Sequence, residues 1–225
     1  RVKEGLSRIN VKMKSDEETE INGMGPDITG TNVELLFEQL NELKAGDILV
    51  LSGSIPSSIR SSIYKEIMEC LQGRGIQIVV DAEKALLMEV LPLHPFLIKP
   101  NNHELGEIFD VELRTREEVI PYAKKLQEKG AVNVLVSMAG EGAVFIDANG
   151  DVHMAPAPRG TLVNGVGAGD SMVAGFMAGW LEKQDYEHAF CMGVSAGSAS
   201  AFSEHLATKA EIETVYQQVR VISNL

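Results

Sequence analysis

The sequence predicts an α/β fold in which a doubly wound, mostly parallel sheet is flanked by helices. Short, continuous apolar runs, such as residues 47–51 and 76–80, are typical of strands that are buried on both faces. Segments with apolar residues at helical spacing, such as residues 32–43, lie between these runs. Strands and helices alternate from residue 31 onward, which is the pattern of a parallel sheet.

The first residues follow a different pattern. Ile9, Val11 and Met13 alternate with polar residues, which indicates a half-exposed strand. Residues 19–23 are predicted to be its hairpin partner, joined by an acidic turn at 15–17. We therefore predict two regions. Residues 1–28 form part of a small β-sheet lid, and residues 29–225 form the α/β domain.

The elements of the α/β domain are predicted in order. Strands are expected at 47–51, 76–80, 96–98, 132–136, 143–146 and 152–154. Helices are expected at 32–43, 58–72, 83–90, 115–129, 169–182, 186–202 and 209–221. Asn149-Gly150 is a strong signal for a hairpin turn between the last two strands. Ligands of such sheets bind beyond the carboxyl ends of the strands, so functional residues are expected in the loops after Leu51, Ile98, Val136 and Met154.

Composition excludes several classes of function. The 225 residues carry a net charge of −12, which argues against a nucleic-acid-binding protein because binding to a phosphate backbone needs clustered Lys and Arg. An anionic ligand would have to be held by a local cation. No apolar run approaches the roughly 18 residues that span a membrane. We therefore expect a cytoplasmic protein without nucleic-acid or membrane partners, although the sequence begins at Arg1 rather than at Met.

The strongest motif is the glycine-rich segment 164–171, Asn-Gly-Val-Gly-Ala-Gly-Asp-Ser, which an apolar helix follows at once. Small residues let the backbone approach a ligand, and the free N–H groups of a helix N-terminus attract anions. This combination suits a phosphoryl group during transfer. Asp170 would repel a phosphate, unless its task is to accept a proton from the attacking hydroxyl.

Two other interpretations of this segment are open. The glycines could serve helix packing, with Asp170 complementing the helix dipole. The segment could also bind a dinucleotide, but that motif has the spacing G-x-G-x-x-G near the start of a βαβ unit. The spacing here is G-x-G-x-G, late in the chain. A P-loop is excluded because no Lys-Ser or Lys-Thr follows the glycines.

A second candidate site follows the strand that ends at Ile98. Asn101 and Glu104 are oxygen ligands at the start of a helix, so they can face one point, and Mg²⁺ is commonly held by one or two such groups together with phosphates. The alternative is a capping box. Lys99 favours the binding site, because a lysine at a strand end can meet a phosphate.

Two further loops contain small and hydroxyl-bearing residues. The segment 52–56, with Ser54 at its centre, ends a buried strand and either contacts a substrate or caps the next helix. The segment 137–142 joins two strands through small residues, and it is either a turn or part of a nucleotide site.

These segments together resemble the ribokinase-like (PfkB-type) family of sugar kinases along nearly the whole chain. The resemblance lies in their order, which is Arg8-Ile9-Asn10, Ser52 through Pro56, Lys99 through Glu104, Ser137 through Gly142, and Gly167-Ala168-Gly169-Asp170. The Gly-Ala-Gly-Asp-Ser-Met segment is highly specific. Within the family, residues 8–23 and 96–106 look most like 1-phosphofructokinases, with tagatose-6-phosphate kinases next.

The resemblance implies a role for each position. Asp170 would be the catalytic base and would contact the substrate, while the N–H groups of Gly167, Ala168 and Gly169 would form the anion hole. Arg8 and Ser54 would bind the phosphate of the sugar. The residues that would bind ATP are Lys99, Asn101, Glu104, Ser137, Gly140 and Gly142, of which Asn101 and Glu104 would also organise Mg²⁺ indirectly.

The implied reaction is phosphoryl transfer from ATP to a sugar phosphate, most closely fructose 1-phosphate giving fructose 1,6-bisphosphate. The alternative substrate is tagatose 6-phosphate. The family's first portion, which carries a Gly-Gly-rich sugar-binding segment, has no counterpart in the sequence, so the α/β domain is expected to be incomplete at its N-terminus. A catalytically inactive sugar- or nucleotide-binding module is therefore the alternative from another class. A homodimer through the lid is also expected, because exposed strand edges often pair.

Overall fold

The structure is a computed structural model that describes residues 5–14, 18–23, 25–219 and 221–223. Within these residues, a two-stranded sheet precedes a seven-stranded sheet with helices on both faces. The predicted α/β fold class and the small N-terminal sheet are both confirmed. The predicted acidic turn at 15–17 lies outside the described residues.

The small sheet consists of β1 (Asn10–Lys14) and β2 (Glu18–Asn22), which pair in antiparallel fashion. Asn10 lies opposite Asn22 at one end of the pairing. The N–H of Gly23 extends the ladder by donating to the carbonyl of Ile9 at 2.9 Å. This is the hairpin that the alternation of residues 9–13 predicted.

The large sheet contains its strands in chain order. They are β3 (Ile48–Ser52), β4 (Gln77–Asp81), β5 (Leu97–Ile98), β6 (Asn133–Ser137), β7 (Ala143–Ile146), β8 (Val152–Ala155) and β9 (Ile222–Ser223). Strands β3 to β6 pair in parallel, and β6 to β9 pair in antiparallel fashion. Strands β3, β4, β5, β6 and β8 therefore run in one direction, and their carboxyl ends share one edge of the sheet.

The helices are α1 (Gly30–Leu40), α2 (Ile63–Leu71), α3 (Lys84–Val90), α4 (Asn102–Phe109), α5 (Arg116–Glu128), α6 (Ala168–Lys183), α7 (Tyr186–Ala201) and α8 (Lys209–Tyr216). No helix in the described ranges has both the length and the apolar character that a bilayer crossing requires. Alternate side chains of the strands face opposite sides of the sheet, so two cores form. Val79, Leu135 and Phe145 pack against α6 and α7, whereas Val80 and Val136 belong to the core beneath α2 to α5.

Glycines set the close packing of α6 on α7. A Cβ on Gly175 would lie 2.5 Å from the Cβ of Ala196, and one on Gly179 would lie 2.9 Å from the Cβ of Met192. Both distances are shorter than nonbonded carbon atoms tolerate, so only glycine fits at these two positions. The tight pair of helices rests on the sheet through Phe176 and fixes the N-terminus of α6 above the sheet edge.

Several elements differ from the sequence prediction, and helix α1, for example, spans Gly30–Leu40 rather than 32–43. The last helix ends at Tyr216 rather than at 221, and residues 222–223 instead form β9 beside β8. Val219 lies in the core with the residues that face α6, so contact with the sheet overrides the helical period there. Helix α2 begins only at Ile63, because residues 57–62 form turns. Helix α4 had been anticipated only as a helix start.

Candidate active site

The carboxyl ends of four parallel strands bring polar residues to one edge of the sheet. Ser52 ends β3, Asp81 ends β4, Lys99 follows β5 and Ser137 ends β6. Ligands of open α/β sheets bind at this edge. The loops predicted after residues 51, 98 and 136 therefore lie side by side. Asp81, the last residue of β4, was missed by the sequence analysis.

The glycine-rich segment forms the N-terminus of α6, as predicted. Its N-cap is Gly167, with φ +78°, and a Cβ there would lie 2.7 Å from Leu206 Cδ2. Glycine adopts this left-handed backbone conformation without strain, and it has no Cβ to clash with Leu206. No side chain among the described residues caps this helix start. Its first N–H groups are therefore placed to receive an anion.

The N–H donors differ slightly from those expected. The N–H of Ala168 donates to the carbonyl of Gly165 at 3.3 Å, a long hydrogen bond that engages one of the three groups assigned to the anion hole. Among the described residues, no partner is found for the N–H groups of Gly167, Gly169 and Asp170. The N–H group of Asp170 is thus also open to a ligand. The N–H group of Ala168 becomes open only if its long hydrogen bond breaks.

Asp170 lies in the first turn of α6 and is exposed. The hydroxyl of Ser52 lies 3.5 Å from its Oδ1, at the limit of a hydrogen bond. The carboxylate therefore faces the end of β3. An exposed carboxylate beside open N–H groups is the arrangement that a proton acceptor next to a phosphoryl site requires.

Lys99 places a cation at this edge, and it is only 7% exposed. Its Nζ lies 3.3 Å from Asp81 Oδ1. A Cβ on Gly169 would lie 3.2 Å from the same Nζ, so glycine at that position lets the ammonium approach the start of α6. The buried ammonium thus lies between a carboxylate and the predicted anion hole.

Asp81 is the functional candidate that sequence reasoning missed. Burial raises the pKa of its carboxyl group, Lys99 opposes the rise, and the nearby charges of Asp170 and Glu104 add to it. The charges of two other carboxylates therefore act on Asp81, which lies beside the Lys99 ammonium. The signal in the sequence was the position of Asp81 directly after the buried run 76–80.

Asn101 and Glu104 form the capping box that was the alternative interpretation. Asn101 Oδ1 accepts from the N–H of Glu104 at 2.8 Å, and Glu104 Oε2 accepts from the N–H of Asn101 at 2.8 Å. Glu104 Oε1 makes none of the hydrogen bonds found between described residues. The described residues contain no cluster of three His, Cys, Asp or Glu side chains with metal-binding geometry. Asn101 and Glu104 therefore form the capping box, and their role in binding Mg²⁺ stays a prediction.

The segment 137–142 is a tight turn at the same edge. Ser137 lies beside Asn101 in an isolated parallel bridge, and its N–H donates to the carbonyl of Pro100 at 3.2 Å. Gly142 has φ +97°, and a Cβ there would lie 2.0 Å from the carbonyl oxygen of Ala155. Gly140 is exposed, with open space around its Cα. The turn is thus fixed at its base and open at its tip.

Arg8 joins the small sheet to the end of β3. Its Nη1 donates to Ser54 Oγ at 2.9 Å, so the structure brings together the pair that was predicted to bind a sugar's phosphate. The hydroxyl of Tyr64 on α2 lies 2.9 Å from the carbonyl of Ser52 and 3.2 Å from that of Gly53. This tyrosine, which sequence reasoning did not single out, holds the strand end in place.

Comparison with known proteins finds relatives that match nearly the whole chain. Residues 2–213 match the pfkB family carbohydrate kinase profile. A 1-phosphofructokinase of Bacillus subtilis (strain 168) is 47% identical over 217 residues, which are 96% of this chain and 71% of that protein. A D-tagatose-1-phosphate kinase of Bacillus licheniformis is 31% identical, over 97% of this chain and 72% of that protein.

A solved structure supports the assignment. A Staphylococcus aureus protein named as a phosphofructokinase superposes with a TM-score of 0.86 at 44% identity, covering 96% of this chain and 70% of that one. Sequence, fold and the geometry at the start of α6 therefore agree, and the chain belongs to the pfkB family of carbohydrate kinases.

Proposed function

We propose that this protein transfers the terminal phosphoryl group of ATP to the 6-hydroxyl of fructose 1-phosphate, giving fructose 1,6-bisphosphate. The observation that carries the proposal is the segment 52–54, which contacts a carboxylate at one end and a cation at the other. Ser52 faces Asp170, and Ser54 binds Arg8. The phosphate and the reacting hydroxyl lie at opposite ends of this sugar. The 47% identical relative named 1-phosphofructokinase supports the same substrate.

Each group has a role in the transfer. Arg8 and Ser54 hold the 1-phosphate, which directs the other end of the sugar toward Asp170. Asp170 accepts the proton of the 6-hydroxyl as that oxygen attacks. The open N–H groups at the start of α6 and the Lys99 ammonium stabilise the negative charge on the phosphoryl oxygens. The small sheet covers the site and excludes water, so that the sugar reacts rather than water.

The residues at this edge also fit a Mg²⁺ ion. The negative charges of Asp170 and Glu104 repel that of Asp81 and contribute to the raised pKa of its carboxyl group. A divalent cation would relieve that repulsion, and carboxylate oxygens are ligands that Mg²⁺ prefers. Glu104, with its open Oε1, and Asp81 would hold the ion, in part through water. Bound there, it would neutralise charge on the ATP phosphates.

A substrate panel tests the reaction. The full-length protein is assayed with ATP and fructose 1-phosphate, fructose 6-phosphate, tagatose 1-phosphate, tagatose 6-phosphate or fructose. We expect the highest kcat/KM with fructose 1-phosphate. Tagatose 1-phosphate is the second candidate, because one relative acts on it by name. A preference for either tagatose phosphate would reassign the substrate, and calorimetric binding without turnover would indicate a binding module.

Replacing Arg8 tests how the phosphate is recognised. We expect Arg8→Ala to raise the KM for fructose 1-phosphate by roughly one to two orders of magnitude, because a charge-assisted contact to a phosphate contributes about 1.5–3 kcal/mol. The measurement is the KM for fructose 1-phosphate beside that for fructose. Equal losses with the two sugars would contradict phosphate recognition by Arg8. Substitution of Arg60, an exposed arginine paired with Glu66, is the matched control.

We also propose that two copies of the chain associate through the small sheet. One face of that sheet carries large apolar side chains that stay exposed in the single chain. They are Ile9 (65%), Val11 (46%), Met13 (46%) and Ile21 (55%). Exposed apolar patches of this kind mark association sites. A Val11→Lys variant should elute as a monomer in size-exclusion chromatography with light scattering, whereas the parent elutes as a dimer. A monomeric parent would refute the proposal.

The expected cytoplasmic location stays a prediction. It is tested by fractionating cells that produce the protein and locating it by immunoblot.

A further inference from the structure

The guanidinium of Arg8 is held by three neutral oxygen atoms. Its Nε donates to Asn10 Oδ1 at 2.8 Å, its Nη1 to Ser54 Oγ at 2.9 Å, and its Nη2 approaches Asn22 Oδ1 at 3.5 Å. Asn10 and Asn22 are direct partners across the two-stranded sheet. The arginine is therefore bound to the end of this sheet by its own neighbours as well as to the end of β3.

None of these acceptors is charged. Among the side chains that the structure describes, no carboxylate lies within ion-pair distance of Arg8. An arginine with a structural role is commonly paired with a carboxylate, which neutralises it. Here the hydrogen bonds fix the orientation of the guanidinium, and no described carboxylate compensates its positive charge, in a chain whose net charge is −12.

The donors that remain suit a phosphate. A guanidinium has five N–H groups, and the three contacts use one on each nitrogen, which leaves one N–H on each of Nη1 and Nη2. Two such donors can bind one phosphate together. Ser54 Oγ accepts from Arg8, so its own O–H is open to donate. The contacts thus orient three donors that remain available to bind a phosphate.

We propose that Asn10, assisted by Asn22, is a positioning residue for recognition of the sugar's phosphate. It holds Arg8 in the binding orientation with a neutral acceptor and so lowers the entropy that the arginine loses on binding. This proposal rests on the proposed function. It implies that selectivity for a phosphorylated sugar depends on a residue that does not itself touch the phosphate.

The first test is a double-mutant cycle. We expect Asn10→Ala to raise the KM for fructose 1-phosphate about tenfold, with the loss in KM rather than kcat, and Asn22→Ala to have a smaller effect because its contact is longer. Added to Arg8→Ala, the Asn10→Ala change should have no further effect, because Asn10 acts through Arg8. Additive losses, or a wild-type KM in Asn10→Ala, would overturn the proposal.

A second variant tests the neutral acceptor. Asn10→Asp keeps an oxygen for Nε but adds a negative charge beside the guanidinium. We expect it to weaken calorimetric binding of fructose 1-phosphate at least as much as Asn10→Ala does, while the KM for fructose does not rise. Wild-type binding by Asn10→Asp would show that only the hydrogen bond matters. If the parent protein itself neither binds nor phosphorylates sugar phosphates, the proposed function fails; if it does, the Asn10 variants alone decide the positioning role.

Discussion

Asp170→Asn is expected to lower kcat by about two to four orders of magnitude, the range that a general base contributes. Asparagine has the same shape as aspartate and can still accept from Ser52, but its amide does not take the proton of the acceptor hydroxyl. The KM for ATP should change little, because the N–H groups at the start of α6 remain in place. Steady-state kinetics with fructose 1-phosphate and ATP measure both values.

The control for this variant is Asp151→Asn. It removes one carboxylate from an exposed position beside the β7–β8 turn and should leave the kinetics unchanged. A near-normal kcat in Asp170→Asn would show that another group accepts the proton. A large loss of ATP binding in the same variant would indicate that Asp170 organises the nucleotide rather than the sugar.

Lys99→Met is expected to lower both stability and activity. The methionine fills a similar volume, but it leaves Asp81 without the ammonium that lies 3.3 Å from its carboxylate. Removing one partner of a buried ion pair costs about 3–5 kcal/mol. The free energy of unfolding, measured by urea denaturation, should fall by about that amount, and the KM for ATP should rise because a cation near the phosphates is lost.

The pH dependence of this variant follows from Asp81. The pKa of this carboxyl group is already raised by burial in the folded protein, and Lys99 limits the rise. Without Lys99 the folded-state pKa rises further above the unfolded value. Between these two pKa values the folded state binds more protons, so stability falls as pH rises through that window and stays low above it. Lys99→Met should therefore lose more stability between mildly acidic and neutral pH than the parent does.

Two further variants separate charge from packing. Lys99→Met combined with Asp81→Asn should recover most of the stability at neutral pH, because no buried charge is left unpaired. The double variant should not recover the ATP affinity, because the cation is still absent. Lys209→Met removes a 91% exposed lysine that is 3.8 Å from Glu213, and it should change stability by no more than about 0.5 kcal/mol. Full stability in Lys99→Met would mean that Asp81 is satisfied without the lysine.

Local signals in the sequence were enough to predict most of the fold. The strands β3, β4 and β6 and the hairpin of β7 and β8 were predicted within a residue or two, because each is a short apolar run with a clear turn signal. The prediction that residues 47–51 are buried on both faces was wrong, because β3 lies at the edge of the sheet and only its Leu51 is buried. Prediction failed where a distant contact decides the conformation. The last helix was predicted to continue to residue 221, yet it ends at Tyr216, Val219 packs in the core and the chain adds β9 to the sheet.

For a similar reason, only some residues of the candidate site were predicted from the sequence. Asp170 and Lys99 stand in recognisable segments, so their types and positions revealed them. Asp81 and Tyr64 have no local motif, and the segment Arg8-Ile9-Asn10 was recognised without the contact between Asn10 and Arg8. They matter because parallel strands end together and because a hairpin register places Asn10 opposite Asn22.

The sequence by itself determined the fold class, the family, and the carboxylate at the start of α6, because these depend on periodicity and on short glycine-rich segments that are contiguous in the chain. Only the tertiary structure decided which side chains meet. Asp81 pairs with Lys99, Asn101 caps a helix, and Arg8 donates a hydrogen bond to Ser54, which is 46 residues away in the chain. These contacts depend on strand order and helix packing, which bring together residues whose separation in sequence carries no local signal.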